Sequence, residues 1–273
     1  MDTNALKKTY VDAFYSQYKD ELESGDVVTN AVNLAYKDAQ RRMKNIDSKK
    51  RDNAKAGVIQ VINEYFENKA PSDQEKYDGY HASICNAWCN AFEQNGRLAE
   101  QGNYGKAQKI VNMAFKYLYC YYSNRGEKTD FFKYCHYTLD SYTLRWLNGC
   151  KGEGKPGFLN GDFKWSSNLI PEKNLDGEYL CSQYDEIQEY ARKCVDNIFG
   201  EGWSVFEAEF FIWENVIYYD FLKEMLKRRN NHLYEGLFNE DLLEKIKENY
   251  PSIERKRGLN DFVIERKSSE VNR

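Results

Sequence analysis

Four prolines, at Pro71, Pro156, Pro171 and Pro251, are all that interrupt this chain of 273 residues. A helix tolerates proline only near its start, so so few of them leave room for long helices. Alternating apolar and polar runs are also scarce, which argues against extended sheets. The longest apolar runs, such as FFIW at 210–213, are far short of the roughly 20 residues a membrane-spanning helix needs. The charged start MDTNALKKTY carries no signal-peptide stretch. We expect a soluble protein, cytoplasmic, with no membrane partner. The seven cysteines are odd in number and lack small-domain disulfide spacing, so they read as reduced thiols. A net charge of −4 argues against a protein that coats nucleic acid non-specifically.

With 41% apolar and 30% charged residues, the chain has enough to bury a sizeable core. The apolar period of 3.6 predicts an all-α fold of about ten helices in two lobes, over 4–22, 26–45, 48–68, 73–94, 104–122, 128–134, 141–148, 182–199, 204–229 and 239–249. Ser72 with Glu75, and Ser182 with Asp185, have the spacing of capping boxes, and Asn239 is a further N-cap candidate. Residues 149–177, rich in Gly, Asn and Pro, form an irregular insertion, a candidate mobile wing with a hairpin expected around Asn160 and Gly161. Residues 1–250 make one domain, and 251–273 a charged, loosely held tail.

Basic residues cluster at Arg41, Arg42, Lys44, Lys49, Lys50 and Arg51, at Lys227–Arg229 and at Arg255–Arg257. Solvated helix ends are the ordinary explanation of each, because phosphate contact needs several cations on one face.

The stretch KIVNMAFK, residues 109–116, places Lys109, Asn112 and Lys116 along one arc of a helix, with Ile110, Val111 and Ala114 on the opposite arc. A water-facing lysine pair is the plain reading, yet the arc holds no acid to form the i,i+4 pairs of a solvated face. Lysines among apolar neighbours lose proton affinity, which is how an amine becomes a nucleophile. Further on, YTLD brings Asp140 to the start of a short helix, as an N-cap and a candidate carboxylate partner. In EFFIW, Glu209 and Trp213 share a helix face. A glutamate in so aromatic a run is costly to bury without a partner.

Together these pieces resemble the archaeal GO glycosylases, a branch of the helix-hairpin-helix superfamily that removes 8-oxoguanine from DNA. KIVNMAFK is similar to the family's lysine helix, YTLD to its P-[VIL]-D turn and EFFIW to its D-x-x-x-W helix, over about residues 100–215. The chain departs from the family in having QGNYGKAQK, with Gly102 and Gly105, where an L-P-G-x-G hairpin stands, Thr138 in place of Pro, and Glu209 in place of Asp. The resemblance implies Lys109 as nucleophile and Asp140 as catalytic carboxylate. It assigns Lys116, Glu209 and Trp213 to the base pocket; Asn112 and His136 are further candidates for substrate contact. The implied partner is DNA bearing a damaged or modified base, in repair or in defence against foreign DNA, with no cofactor and no metal. The base, the strand state and the oligomeric form stay open.

Other readings stand beside this one. A glycosylase-like domain without catalysis would bind nucleic acid or protein through the same aromatic and basic surfaces. His81, Cys85 and Cys89 recur every four residues along one helix edge, as metal ligands or as core. RRNNH at 228–232 only approximates a helical ribonuclease motif.

Overall fold

In the computed structural model, residues 3–227 are described, apart from 44–45, 96, 151–153 and 201, and 217–227 are described by backbone alone. The expected helix at 239–249 with its Asn239 cap, the tail at 251–273, the RRNNH stretch and the basic runs at 227–229 and 255–257 lie outside the described side chains.

Among the described residues about 70% are helical, and the fold is all-α. Helices run over Thr3–Glu23 (α1), Val27–Ala39 (α2), Ser48–Glu67 (α3), Gln74–Asn90 (α4), Tyr104–Ser123 (α5), Ser141–Gly149 (α6), Trp165–Asn168 (α7), Ser182–Phe199 (α8) and Val205–Lys227 (α9). Short 3-10 turns follow α2 at Gln40–Arg42, precede α5 at Glu100–Gly102 and follow it at Thr129–Phe132.

Acidic side chains start several of these helices by accepting a backbone N–H in the first turn. Asp26 caps α2 through Thr29, Asp47 caps α3 through Lys50, and Asp73 caps α4 through Lys76. The cap of α4 is thus Asp73 and not Ser72, whose hydroxyl instead donates to the Asp73 carboxylate at 2.8 Å. Ser182 is likewise displaced from its expected capping role: the residue before α8 is Cys181, with no side-chain cap bond.

The hairpin expected at Asn160 and Gly161 is not formed. Residues 157–158 and 161–162 are turns, and strands β3 (Glu172–Lys173) and β4 (Tyr179–Leu180) pair further along. Within the turn between these strands the Asn174 Oδ1 accepts from the amides of Asp176 and Glu178, and Gly177 takes φ +85°, a left-handed value that suits glycine. A second small hairpin, β1 (Glu93–Gln94) with β2 (Arg97–Leu98), lies between α4 and α5.

Buried side chains from α1 through α9 form one contiguous cluster, so no break in the core separates the expected lobes. Helix α5 is at its centre, in contact with α1, α2, α4 and α7. Seventeen of its 20 residues are buried, including Lys106, Gln108, Lys109, Asn112 and Lys116. The polar arc of this helix therefore points into the protein. Gly102 and Gly105 permit this packing: a Cβ at 102 would overlap Phe92 and Leu98, and one at 105 would overlap the Trp165 carbonyl oxygen.

Candidate active site

Residues 135–140 are buried without belonging to a helix or sheet, so their backbone groups need other partners. Three helices supply them. Gln188 on α8 accepts from the Tyr137 amide at 2.9 Å and donates to its carbonyl at 2.7 Å. Glu209 on α9 accepts from the Thr138 amide at 2.7 Å. Gln108 on α5 accepts from the Leu139 amide at 3.1 Å and donates to its carbonyl at 2.9 Å.

This clamp delivers Asp140 to the start of α6. Its Oδ1 accepts from the amides of Tyr142 at 2.9 Å and Thr143 at 3.0 Å, and the Thr143 hydroxyl accepts from the Asp140 amide at 2.8 Å, closing a capping box. The other oxygen, Oδ2, accepts from Lys109 Nζ at 2.8 Å. One carboxylate thus holds the helix and pairs with the lysine at once. Burial alone would raise the Asp140 carboxyl, but the Lys109 ammonium, its hydrogen bond and the Thr143 amide together hold it below the usual carboxylate range.

The pair lies on the wall of a cavity of about 560 Å³, within the range of small-molecule sites. Lys37, Arg41 and Arg42, from the end of α2 and the turn after it, bring positive charge to its lining, and all three side chains are exposed. Phe14, Tyr18, Tyr142, Trp165 and Trp213 line it with aromatic surface. Tyr142 and Trp213 meet edge to face at 6.0 Å.

The residues singled out from sequence divide into two groups. Lys109, Asp140 and Trp213 line the cavity. Asn112, Lys116, Glu209 and His136, expected at its wall, are packed into the core beside it, at 1%, 1%, 1% and 2% exposure. Lys116 pairs with Glu209 at 3.0 Å, and its ammonium sits 4.6 Å from the Phe210 ring centre and 5.8 Å from that of Trp213. A buried charge needs such a partner, and helix α9 is tied to α5 by it.

Asn112 joins a different network. Its amide donates to Gln108, to the Tyr137 carbonyl and to the Tyr184 hydroxyl, and its Oδ1 lies 2.9 Å from His81 Nε2. The Tyr184 hydroxyl also meets His136 Nδ1 at 3.0 Å, and His136 Nε2 meets Asp78 at 2.7 Å. Burial pushes His81 well below its ordinary imidazole range, with the neighbouring His136 adding to the effect. Burial lowers His136 too, against the pull of Asp78. Of the proposed metal edge, Cys85 Sγ stands 3.8 Å from His81, whose Nε2 is already engaged by Asn112. No group of three potential ligands among the described residues is arranged to hold a metal ion.

Sequence reasoning missed Phe14, Tyr18, Lys37, Tyr142 and Trp165 as cavity residues. Arg41 and Arg42 were visible only as part of a basic cluster; what gives them meaning is the 3-10 turn that carries them to the cavity. Trp165 comes from the Gly-rich insertion and carried no periodic signal. No described helix is long and apolar enough to cross a membrane. Compared with protein-family models, with curated proteins and with solved structures, the chain gives no match.

Proposed function

We propose that this chain is a DNA glycosylase that removes a damaged or modified base through the Lys109 amine, with Asp140 as the supporting carboxylate. The observation that carries the reading is the 2.8 Å contact between Lys109 Nζ and Asp140 Oδ2 at a cavity of about 560 Å³ lined by aromatic rings and cations. A nucleobase held within a stack cannot present C1′ to a side chain, so the nucleotide swings out of the stack into the cavity. Trp213, Trp165 and Tyr142 offer faces for the base, and Lys37, Arg41 and Arg42 meet the phosphates.

The resting ion pair supplies the proton that the chemistry needs. The Lys109 ammonium gives it up, through Asp140 Oδ2, to the departing base, which keeps the electron pair of the broken bond to C1′. The freed amine forms a new bond to C1′, while the Asp140 carboxylate offsets the positive charge that develops on the sugar. Ring opening then gives an imine. Loss of a C2′ proton from it expels the 3′ phosphate, the lyase step.

The relation to the helix-hairpin-helix glycosylases is part of the same proposal, and rests on α5 and the cap of α6 carrying the amine and the carboxylate in the family's order. Where the family carries an L-P-G-x-G element before the lysine helix, this chain has QGNYGKAQK with Gly102 and Gly105, a departure from the pattern. Such an enzyme acts on intracellular DNA.

Borohydride reduces the imine to a stable amine, so wild-type protein mixed with DNA bearing an oxidised purine should become covalently linked. Lys109→Gln should abolish the link. Cross-linking that persists in the variant removes Lys109 from the role. DNA retarded in a gel with no base released and no link formed identifies a binding module instead.

A further inference from the structure

A second cavity, of about 420 Å³, adjoins the first and shares Arg42, Ser141 and Trp165 with it. It runs along α6 to the loop that precedes α7. Arg42, Arg145 and Lys164 line it with cations, and no acidic residue is among its described lining. The first cavity, by contrast, contains both Asp38 and Asp140. Phe163 and Trp165 add aromatic surface. Asn148 lines it too, its side-chain amide donating to the Asn160 carbonyl at 3.2 Å.

We propose that this second cavity holds the nucleotide adjacent to the one in the first, so that the two form a continuous track for an unpaired DNA strand. The inference rests on the glycosylase reading for the identity of the first occupant. Its chemistry is that of single-strand sites, where cations follow the phosphates and aromatic side chains stack on base faces. Arg42, common to both cavities, takes the phosphate between the two nucleotides, and Lys164 takes the next. Phe163 stacks on the second base. Base faces are covered in a stacked, paired duplex, so rings inside a groove favour the unpaired strand.

The test measures binding of a fluorescein-labelled single-stranded oligonucleotide of about twelve residues, a length within the usual range of single-strand sites. The same sequence as a duplex serves for comparison, across a salt series. Wild-type protein should prefer the single strand. The double variant Arg42→Gln with Lys164→Gln should weaken binding and reduce the magnitude of the slope of log K against log salt by about 1.4, since each lost phosphate contact removes about 0.7. Phe163→Ser should weaken single-strand binding about tenfold, within the range for loss of a stacked base. Thermal midpoints equal to wild type confirm that the variants fold, and a single Lys164→Gln variant, at an exposed position, stands in should the double variant unfold. Equal affinity for the duplex, or an unchanged salt slope in folded variants, overturns the track. If wild-type protein is never trapped by borohydride yet binding depends on Arg42 and Lys164 as stated, the catalytic reading falls and the track stands.

Discussion

Lys116 and Glu209 face each other at 3.0 Å, on helices α5 and α9, with 1% of each side chain exposed. Removing the cation alone leaves a carboxylate in a dry core. Lys116→Met should therefore cost about 3–5 kcal/mol. Urea unfolding should also show Lys116→Met with Glu209→Leu as more stable than the lysine variant alone, which would show that the stranded charge causes the loss. The Thr138 amide, which donates to Glu209, limits that recovery.

Asp140 has two duties that substitutions can separate. Asp140→Asn keeps an oxygen to cap α6 but loses the anion that pairs with buried Lys109, so stability should fall through the broken ion pair while single-turnover base release falls by about 10²–10⁴-fold. Asp140→Ala should lose the cap as well, at about 1 kcal/mol more. Equal activity in wild type and Asp140→Asn would remove the carboxylate from the chemistry.

Acid should destabilise the fold in two stages. His81 and His136 both titrate below the ordinary imidazole value in the folded chain. Below about pH 6.5 the unfolded chain therefore binds more protons, and stability falls as pH drops, by up to about 1.4 kcal/mol per pH unit for each histidine. The Asp140 carboxyl is also depressed, so its contribution is present above about pH 4 and is lost as pH falls through its folded value. Urea titrations between about pH 7.5 and pH 5.5 measure the first stage. His136→Gln should lower the slope, by at most about one proton, and an unchanged slope would contradict it.

Gly105→Ala sets a methyl group against the Trp165 carbonyl oxygen. Backbone has to move, at a cost of about 1–3 kcal/mol. Because Trp165 lines both cavities, DNA binding should weaken together with the thermal midpoint. Gly79→Ala, where an added Cβ meets nothing within 4 Å, is the control and should be neutral or stabilising.

The helices were legible because apolar period and helix length agree over most of the chain. Thr3–Glu23, Ser48–Glu67, Tyr104–Ser123 and Ser182–Phe199 lie within a few residues of their expected ranges. The turn chemistry between 154 and 180 was not, since Asn160–Gly161 and Asn174–Gly177 offer similar residues, and the outcome depends on long-range contacts such as Asn86 with the Tyr179 backbone. At the site, the amine and carboxylate were readable as a pair because each has a local signal, a helix arc and a cap. Whether Asn112, Lys116, Glu209 and His136 face a cavity or the core depends on what packs over α5, which no local pattern contains. Phe14 and Tyr18 illustrate the converse: ordinary core residues by period, they reach the cavity because α1 lies across α5.

The amides of Tyr137, Thr138 and Leu139 each end on a side chain from a different helix: α8, α9 and α5. Any shear among those three helices is thus written directly into the solvent protection of three consecutive protons, one residue upstream of the carboxylate. Hydrogen exchange at these positions works as a built-in gauge. Occupancy of the neighbouring cavity that stiffens the helices would slow all three in concert, whereas slippage of α9 alone would release Thr138 first.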